Sequence, residues 1–497
     1  MTSKIMFLGT GSDVGKSITA TAFCRILKNR NISVAPFKAQ NMSNNSYVTI
    51  EGGEIGRAQT VQAQACGIAP SIHMNPVLLK PNSETGSQIV VQGKALKNMT
   101  AKEYYDAKPM IKEKVVESYK ILESRYNALI LEGAGSCCEV NLREHDIVNF
   151  EMAIIADAPV VIVADIDRGG VFAQIIGTMG LLSKKEHDLV KGFIINKFRG
   201  DASLFKNGID FIEKQTQKPV FGLIPHYSHI HIDPEDSVAL DTRKKIHKSR
   251  VKIKIASIRL SSVSNFTDIE ALEAEPDVLV EWLDKPKDLA PYDAVIIPGA
   301  KNAIGDMLML NSVGWSKRIR DYADSARGLI VGICGGFQIL GNSISDPDKI
   351  EGEQTYAQGV GLLNVETTIE NTKIVREVSG KEHLFGALVR GYEIHMGRTQ
   401  SNDKSFAALA SNQDGAISEN QKILGTYLHG LFDSGEFRKY FLEQTAAFKG
   451  VTLDPEIIRT DYWEQRDKNY DLLAQHYEKY TDIEELLKAT GILLPTK

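Results

Sequence analysis

Gly9-Thr10-Gly11-Ser12-Asp13-Val14-Gly15-Lys16-Ser17 stands between an apolar run, Lys4-Ile5-Met6-Phe7-Leu8, and a stretch from Lys16 to Arg30. That stretch carries Ala20, Phe23, Cys24 and Leu27 at helical spacing. A buried strand, a glycine-rich turn and a helix start are the context a phosphate loop requires. Glycines let backbone N–H groups turn inward on an anion, and the helix N-terminus adds positive potential. In this reading Gly11, Asp13, Val14, Gly15 and Lys16 hold ATP. Lys16 reaches the β- and γ-phosphates, and the Ser17 hydroxyl joins a Mg2+ shell. Thr10 stands where the strict GxxxxGK[ST] spacing has its first glycine. The flanking elements, which set the loop apart from a chance glycine-rich turn, therefore carry the assignment.

Working outward, further strand-like runs are Val34-Ala35-Pro36-Phe37, Ala128-Leu129-Ile130-Leu131, Val160 to Ala164, Gly192 to Ile195 and Val220 to Ile224. Near-continuous apolar strands separated by helical patterns argue for an α/β fold with a parallel sheet covered on both faces. Ligands then bind at the C-terminal strand ends. Glu132 falls at such an end and is the expected metal acid. Asp165 and Asp167 are similarly placed, and Asn196-Lys197 at another strand end is expected to contact the adenine base. For each acid the alternative is a helix cap or a local ion pair.

The whole chain has 497 residues, 43% hydrophobic and 24% charged, with a formal net charge of −5. This is the composition of a folded, soluble protein. The acidic balance speaks against a large nucleic-acid surface. No apolar run approaches the ~18 residues that span a bilayer, and Met1 to Leu8 is too short for a signal peptide, so a cytoplasmic location is expected. Five cysteines without a CxxC pair indicate neither a zinc site nor a disulfide framework.

The apolar pattern breaks near 235–250, where a polar, basic stretch reads as a linker. A second α/β series follows: Ile253 to Ile258, Ala294 to Gly299, Leu329 to Ile333, and a last strand over Lys422 to Leu428. Gly332-Ile333-Cys334-Gly335-Gly336 is a G-x-C-x-G elbow, the thiol counterpart of G-x-S-x-G. The sharp strand-to-helix turn exposes a nucleophile at a helix N-terminus, which lowers a thiol pKa and helps stabilise an oxyanion. His429, just past the last strand, is the expected base. Beyond about residue 435 the chain reads as helical. Tyr470, Leu473, Tyr477 and Tyr480 form a packing stripe, and Thr481 to Glu484 is read as a capping box.

Gly332 to Gly341 and Tyr427 to Phe432 resemble a class I glutamine amidotransferase domain. Such domains release ammonia from glutamine through a cysteine thioester and pass it to a synthetase. Most carry a glutamate two positions after the histidine; here that position is Leu431. The departure resembles the subgroup that amidates cobalamin precursors, as does Gly391-Tyr392-Glu393-Ile394-His395-Met396-Gly397. What orients His429 stays open, and a Cys334–His429 dyad is expected. The N-terminal half resembles dethiobiotin-synthetase-like ATP-dependent ligases, which share the shifted glycine and a Glu-Gly-Ala-Gly metal motif. Lys38 to Asn45, Met74 to Pro81, Asp165 to Phe172 and Asn196 to Asp201 are similar to the cobyric acid synthase family.

The resemblance implies two catalytic halves. Residues 1–235 are the P-loop amidoligase domain, 236–250 a linker, 251–440 the amidotransferase domain and 441–497 a helical tail. It implies ATP as co-substrate, Mg2+, glutamine as ammonia donor and a corrinoid substrate, with neither nucleic acid nor membrane as partner. The expected reaction amidates adenosylcobyrinic acid a,c-diamide at four peripheral propionates to give adenosylcobyric acid. Gln40, Asn41 and Lys80 are candidate corrinoid contacts. Cobyrinic acid a,c-diamide synthase, with the same two modules, is the nearest alternative. CTP synthase pairs them too but keeps the glutamate that Leu431 replaces. A regulatory P-loop ATPase with a degenerate hydrolase domain is the alternative from another class, against which Cys334 and His429 stand intact.

Overall fold

The Val/Ile-rich runs of the N-terminal half have no polar face to offer solvent, so they are buried on both sides in one parallel sheet. The computed structural model describes residues 2–81, 86–235, 240, 248, 250–410 and 412–492. Strand order is Val220–Pro225, Val190–Phe198, Val160–Asp165, Ser3–Gly9, Ala128–Glu132 and Val34–Phe37, every neighbouring pair parallel. Ser3–Gly9 lies centrally, so the phosphate loop, Glu132 and Asp165 emerge side by side from three adjacent strand ends. A smaller sheet of Gln40–Met42, Val77–Pro81, Gly86–Val91 and Lys94–Thr100 stands over this edge. Its short, mixed-polarity strands gave no periodic signal.

The second half repeats the principle. Val278–Leu283, Ile253–Ile258, Ala294–Ile297, Leu329–Ile333 and Ile423–Thr426 run parallel, and Ala416–Ile417 closes one edge antiparallel. The last parallel strand is thus shorter than the expected Lys422–Leu428 run. Residues 427–429 have left the strand and turn into the site. A long hairpin, Val365–Glu382 with Leu388–Ser401, folds over the C-terminal strand ends and bridges to His429 through Tyr392.

Most of the expected linker, 236–250, lies outside the described residues. The expected tail is not a free appendage. Helix Gly435–Lys449 runs through the expected boundary at residue 440, and its Phe437, Phe441 and Leu442 belong to the amidotransferase core. Helix Tyr462–Tyr480 then crosses back to the ligase half. There Tyr470, Leu473 and Tyr477 pack in one core with Phe23 and Leu27 of the phosphate-loop helix. Tyr477 Oη lies 3.0 Å from Thr19 Oγ1. Arg25 pairs with Asp467 at 2.8 Å and with Asp471 at 2.7 Å. The cap of the final helix is Asp482, which accepts from the Glu485 N–H, and not Thr481. Asp482 stands one residue nearer the first helical turn, where its carboxylate reaches that N–H. No helix among the described residues is long and apolar enough to cross a membrane.

Candidate active sites

The phosphate loop turns on Gly15, whose φ of 100° caps helix Lys16–Asn29. A Cβ at this position would also lie 2.0 Å from Asn196 Nδ2. Asn196 itself donates to the Val14 carbonyl, at 3.1 Å. The residue expected to meet adenine thus also braces the loop. Lys16 Nζ curls back to the Gly11 and Gly135 carbonyls, both at 2.8 Å. Burial, with the Lys38 ammonium beside it, lowers the Lys16 pKa.

Ser17 Oγ lies 2.8 Å from Glu132 Oε1 and 2.9 Å from Glu235 Oε2, its one proton shared between the two carboxylates. Lys38 Nζ bridges the same two carboxylates, at 2.8 and 3.0 Å. Gln62 donates to the other Glu132 oxygen, at 2.5 Å. Burial would push the Glu235 carboxyl up, but the Lys38 ammonium and the Ser17 hydroxyl hold it below the usual range. Sequence reasoning placed Ser17 and Glu132 here and missed Lys38 and Glu235. Glu235 sits at the edge of a polar stretch that looks like linker. Asp165 pairs with Lys197 at 2.9 Å and Asp167 with Arg199 at 2.7 Å, which is the ion-pair alternative for both.

A cleft of about 750 Å3 opens beside the loop, from Ser12 and Gly135 across Gln40 to an apolar wall that includes Leu79, Met99 and Tyr104. Lys108, Arg143 and His145 stand on its margin. Of the three candidate corrinoid contacts only Gln40 faces it, accepting from Tyr104 Oη at 2.5 Å. Asn41 is buried and bonded to Gln59. Lys80 points away from the cleft, donating to Ser46 at 2.9 Å and pairing with Glu54.

In the second half, Cys334 takes φ 52° and ψ −107° at the head of helix Gly335–Leu340, a strained setting typical of a functional turn. The elbow is tight because Gly336 packs on the neighbouring strand; a Cβ there would lie 2.0 Å from the Ile297 carbonyl oxygen. His429 is fully buried, and Tyr392 stacks on its ring with centroids 5.1 Å apart. Its Nδ1 donates to Asp268 Oδ2 at 2.7 Å, and the Gly430 N–H donates to the other Asp268 oxygen at 2.8 Å. Burial alone would lower the His429 pKa, but the Asp268 carboxylate and the Cys334 sulfur raise it to about 10. An imidazolium beside a cysteine is the arrangement that activates a thiolate.

Both chemistries recur in known families over the same residues. Residues 5–238 match the CobQ/CobB/MinD/ParA nucleotide binding domain, and residues 254–437 match the CobB/CobQ-like glutamine amidotransferase domain. A cobyric acid synthase of Syntrophobacter fumaroxidans is 45% identical over 507 residues, covering 98% of each chain. One from Chlorobium phaeobacteroides is 46% identical, with 97% of this chain and 96% of the relative covered. One from Vibrio parahaemolyticus is 43% identical, with 97% and 99% covered. The chain belongs to the cobyric acid synthase family. Membership makes it an ATP-dependent, glutamine-using amide ligase of cobalamin biosynthesis.

Within the cobyric acid synthase family fold, the two halves meet closely at the amidotransferase site. Ser46 of the ligase half donates its N–H to Asn265 Oδ1 at 2.9 Å, and Asn265 Nδ2 lies 3.4 Å from His429 Nε2. Glu54 is buried between Lys80 of the ligase half and Lys373 of the long hairpin. Behind His429, Asp433 pairs with Arg466 of the returning helix at 2.6 Å. Arg466 and Arg57 in turn hold Asp233, at 2.8 and 2.5 Å.

Proposed function

We propose that the chain amidates adenosylcobyrinic acid a,c-diamide at the b, d, e and g propionates to give adenosylcobyric acid. Each carboxylate oxygen attacks the γ-phosphorus of ATP, releasing ADP and leaving an acyl phosphate. Lys16 and the loop N–H groups offset charge on the transferring group. In the other half the Cys334 thiolate attacks the glutamine amide carbonyl. The imidazolium of His429 protonates the amide nitrogen of the tetrahedral intermediate so that it leaves as ammonia, and the imidazole then takes a proton from the water that cleaves the thioester. The N–H of Gly335, first in its helix and so without an intrahelical acceptor, is suited to the oxyanion. Ammonia displaces phosphate from the acyl phosphate and forms the carboxamide. Asp268 holds the His429 tautomer, as the glutamate does elsewhere in the class.

The donors gathered at Ser17, Glu132 and Glu235 are all hard oxygens, the set that suits Mg2+. These three residues would hold the ion, which when bound would neutralise charge on the ATP phosphates. The cleft also suits the substrate class. A corrin offers broad apolar faces ringed by carboxylates, and here an apolar wall carries basic residues at its margin.

The observation that carries the coupled reading is a shared strand. In Val77–Pro81, Leu79 and Pro81 line the large cleft, while Lys80 lines the cavity that contains Cys334. The acyl-acceptor cleft and the ammonia source thus lie on opposite faces of one strand. The test is amidation of cobyrinic acid a,c-diamide with ATP and glutamine, read by mass. Stepwise amide gains are expected. Cys334→Ala should abolish glutamine use and retain amidation with ammonium. A folded variant that loses both overturns the division of labour, and no mass change with any cobyrinate overturns the substrate.

A further inference from the structure

The cavity at Cys334 is narrow and unusually rich in charge. Lys80, Lys301, Lys373 and Glu351 line it together with Cys334 and Gln338. Lys80 and Lys373 are both committed to the buried Glu54 carboxylate. Lys301 is different. It follows Ala300, whose backbone packs against Gly335 of the elbow. The residue is half-buried, and Glu351, Lys373, Glu54 and Cys334 are the charged or ionisable groups that act on its ammonium. Among the described residues it makes no side-chain hydrogen bond and no ion pair. Its ammonium thus stands unpaired in the lining of the cavity that holds Cys334, placed to meet an anionic group of a ligand.

Glu351 is its complement. One carboxylate oxygen accepts the Ala303 N–H at 3.2 Å, and no cation within the described residues pairs with the side chain. Burial pushes this carboxyl up to about 7, despite the pull of Lys301. One uncommitted cation and one uncommitted acid thus share a wall of the cavity that holds the nucleophile. Glutamine carries one carboxylate and one ammonium on its α-carbon, separated from the reactive amide by its side-chain methylenes.

We infer that Lys301 binds the α-carboxylate and Glu351 the α-ammonium of the amide donor, fixing free glutamine with its amide at Cys334. This rests on reading the Cys334 cavity as the glutamine site and deepens it, because it names what selects a free amino acid over a glutamine within a peptide. Lys301 and Glu351 are specificity residues; neither attacks nor moves a proton.

The test compares glutamine, glutamine methyl ester and N-acetylglutamine as ammonia donors for the full chain. Wild type should prefer glutamine to both blocked forms. Lys301→Met should raise KM for glutamine by about ten- to a hundredfold, the size of one lost charge-assisted contact, with kcat much less affected. It should leave kcat/KM for the methyl ester unchanged, so that the preference for a free carboxylate disappears. Glu351→Gln should likewise erase discrimination against N-acetylglutamine, and it serves as the second variant if Lys301→Met does not fold by circular dichroism. Unchanged KM and unchanged preference in folded variants overturn the inference. So does an equal loss for glutamine and its blocked forms, which would mark a structural role. Wild type that amidates with ammonium but hydrolyses no glutamine overturns the underlying reading of the cavity and the clamp with it.

Discussion

His429 Nδ1 sits 2.7 Å from Asp268 Oδ2, with both groups buried and the second Asp268 oxygen taken by the Gly430 N–H. The acid beside His429 comes from a distant turn, Phe266–Ile269, rather than from two positions after the histidine. Asp268→Asn should lower glutaminase kcat by about a hundredfold or more, while ammonium-dependent amidation persists. The sign of the pH effect follows from the His429 pKa of about 10. The charged imidazole is present below that value and lost as pH rises through it. Without the Asp268 charge the alkaline limb of glutaminase activity should move down by about one to three pH units, as pH–rate profiles would read.

Glu235 and Glu132 share Ser17 and Lys38. Glu235→Gln should reduce ATP-dependent amidation by about tenfold or more and raise the Mg2+ needed for half-maximal rate. Lys38→Met leaves the buried Glu132 carboxylate facing the part-exposed Glu235 with no cation between them. Read from the denaturant midpoint, it should cost about 2–4 kcal/mol of stability, since Glu132 loses its cation while water still reaches Glu235.

Lys108 stands on the cleft margin, with burial lowering its pKa and Asp146 opposing that shift. If it meets a peripheral carboxylate, Lys108→Ala should raise KM for the cobyrinate several-fold, about 1 kcal/mol. The KM for glutamine should not move. Steady-state kinetics with each substrate varied in turn separates the two.

Leu473 is fully buried against the phosphate-loop helix. Leu473→Ala should destabilise the chain by about 2–5 kcal/mol through lost apolar contact and a cavity. Because Lys16–Asn29 carries the loop, ATP affinity should weaken as well. Thermal unfolding with and without ATP measures both effects.

Asp233 lies between Arg57 and Arg466. Burial opposes its ionisation, but Arg466 and Arg57 hold its pKa at about 2, below the ordinary 3.8. Its stabilisation is therefore complete above about pH 4 and lost as pH falls through 2. Asp233→Asn should flatten the fall of the melting temperature with acid over that window.

The legible parts of the two sites share a cause. Gly9 to Ser17 and Gly332 to Gly336 are short segments whose backbones must turn sharply between a buried strand and a helix, so their composition announces them. Asn196 is legible at its strand end, but its bond to the Val14 carbonyl is not, because that partner lies 182 positions away. Lys80 was selected from a motif, but strand alternation turned it to the opposite face from Leu79 and Pro81.

Local sequence determined the α/β architecture, the phosphate loop, Glu132 and the Cys334 elbow, because apolar periodicity and glycine demands act within a few residues. Tertiary structure alone decided the rest. Asp268 and His429 lie 161 positions apart, Ser17 and Glu235 lie 218 apart, and Arg25 and Asp467 lie 442 apart. An isolated carboxylate has no periodic signature, and its role is set by the charge or donor that the fold brings to it.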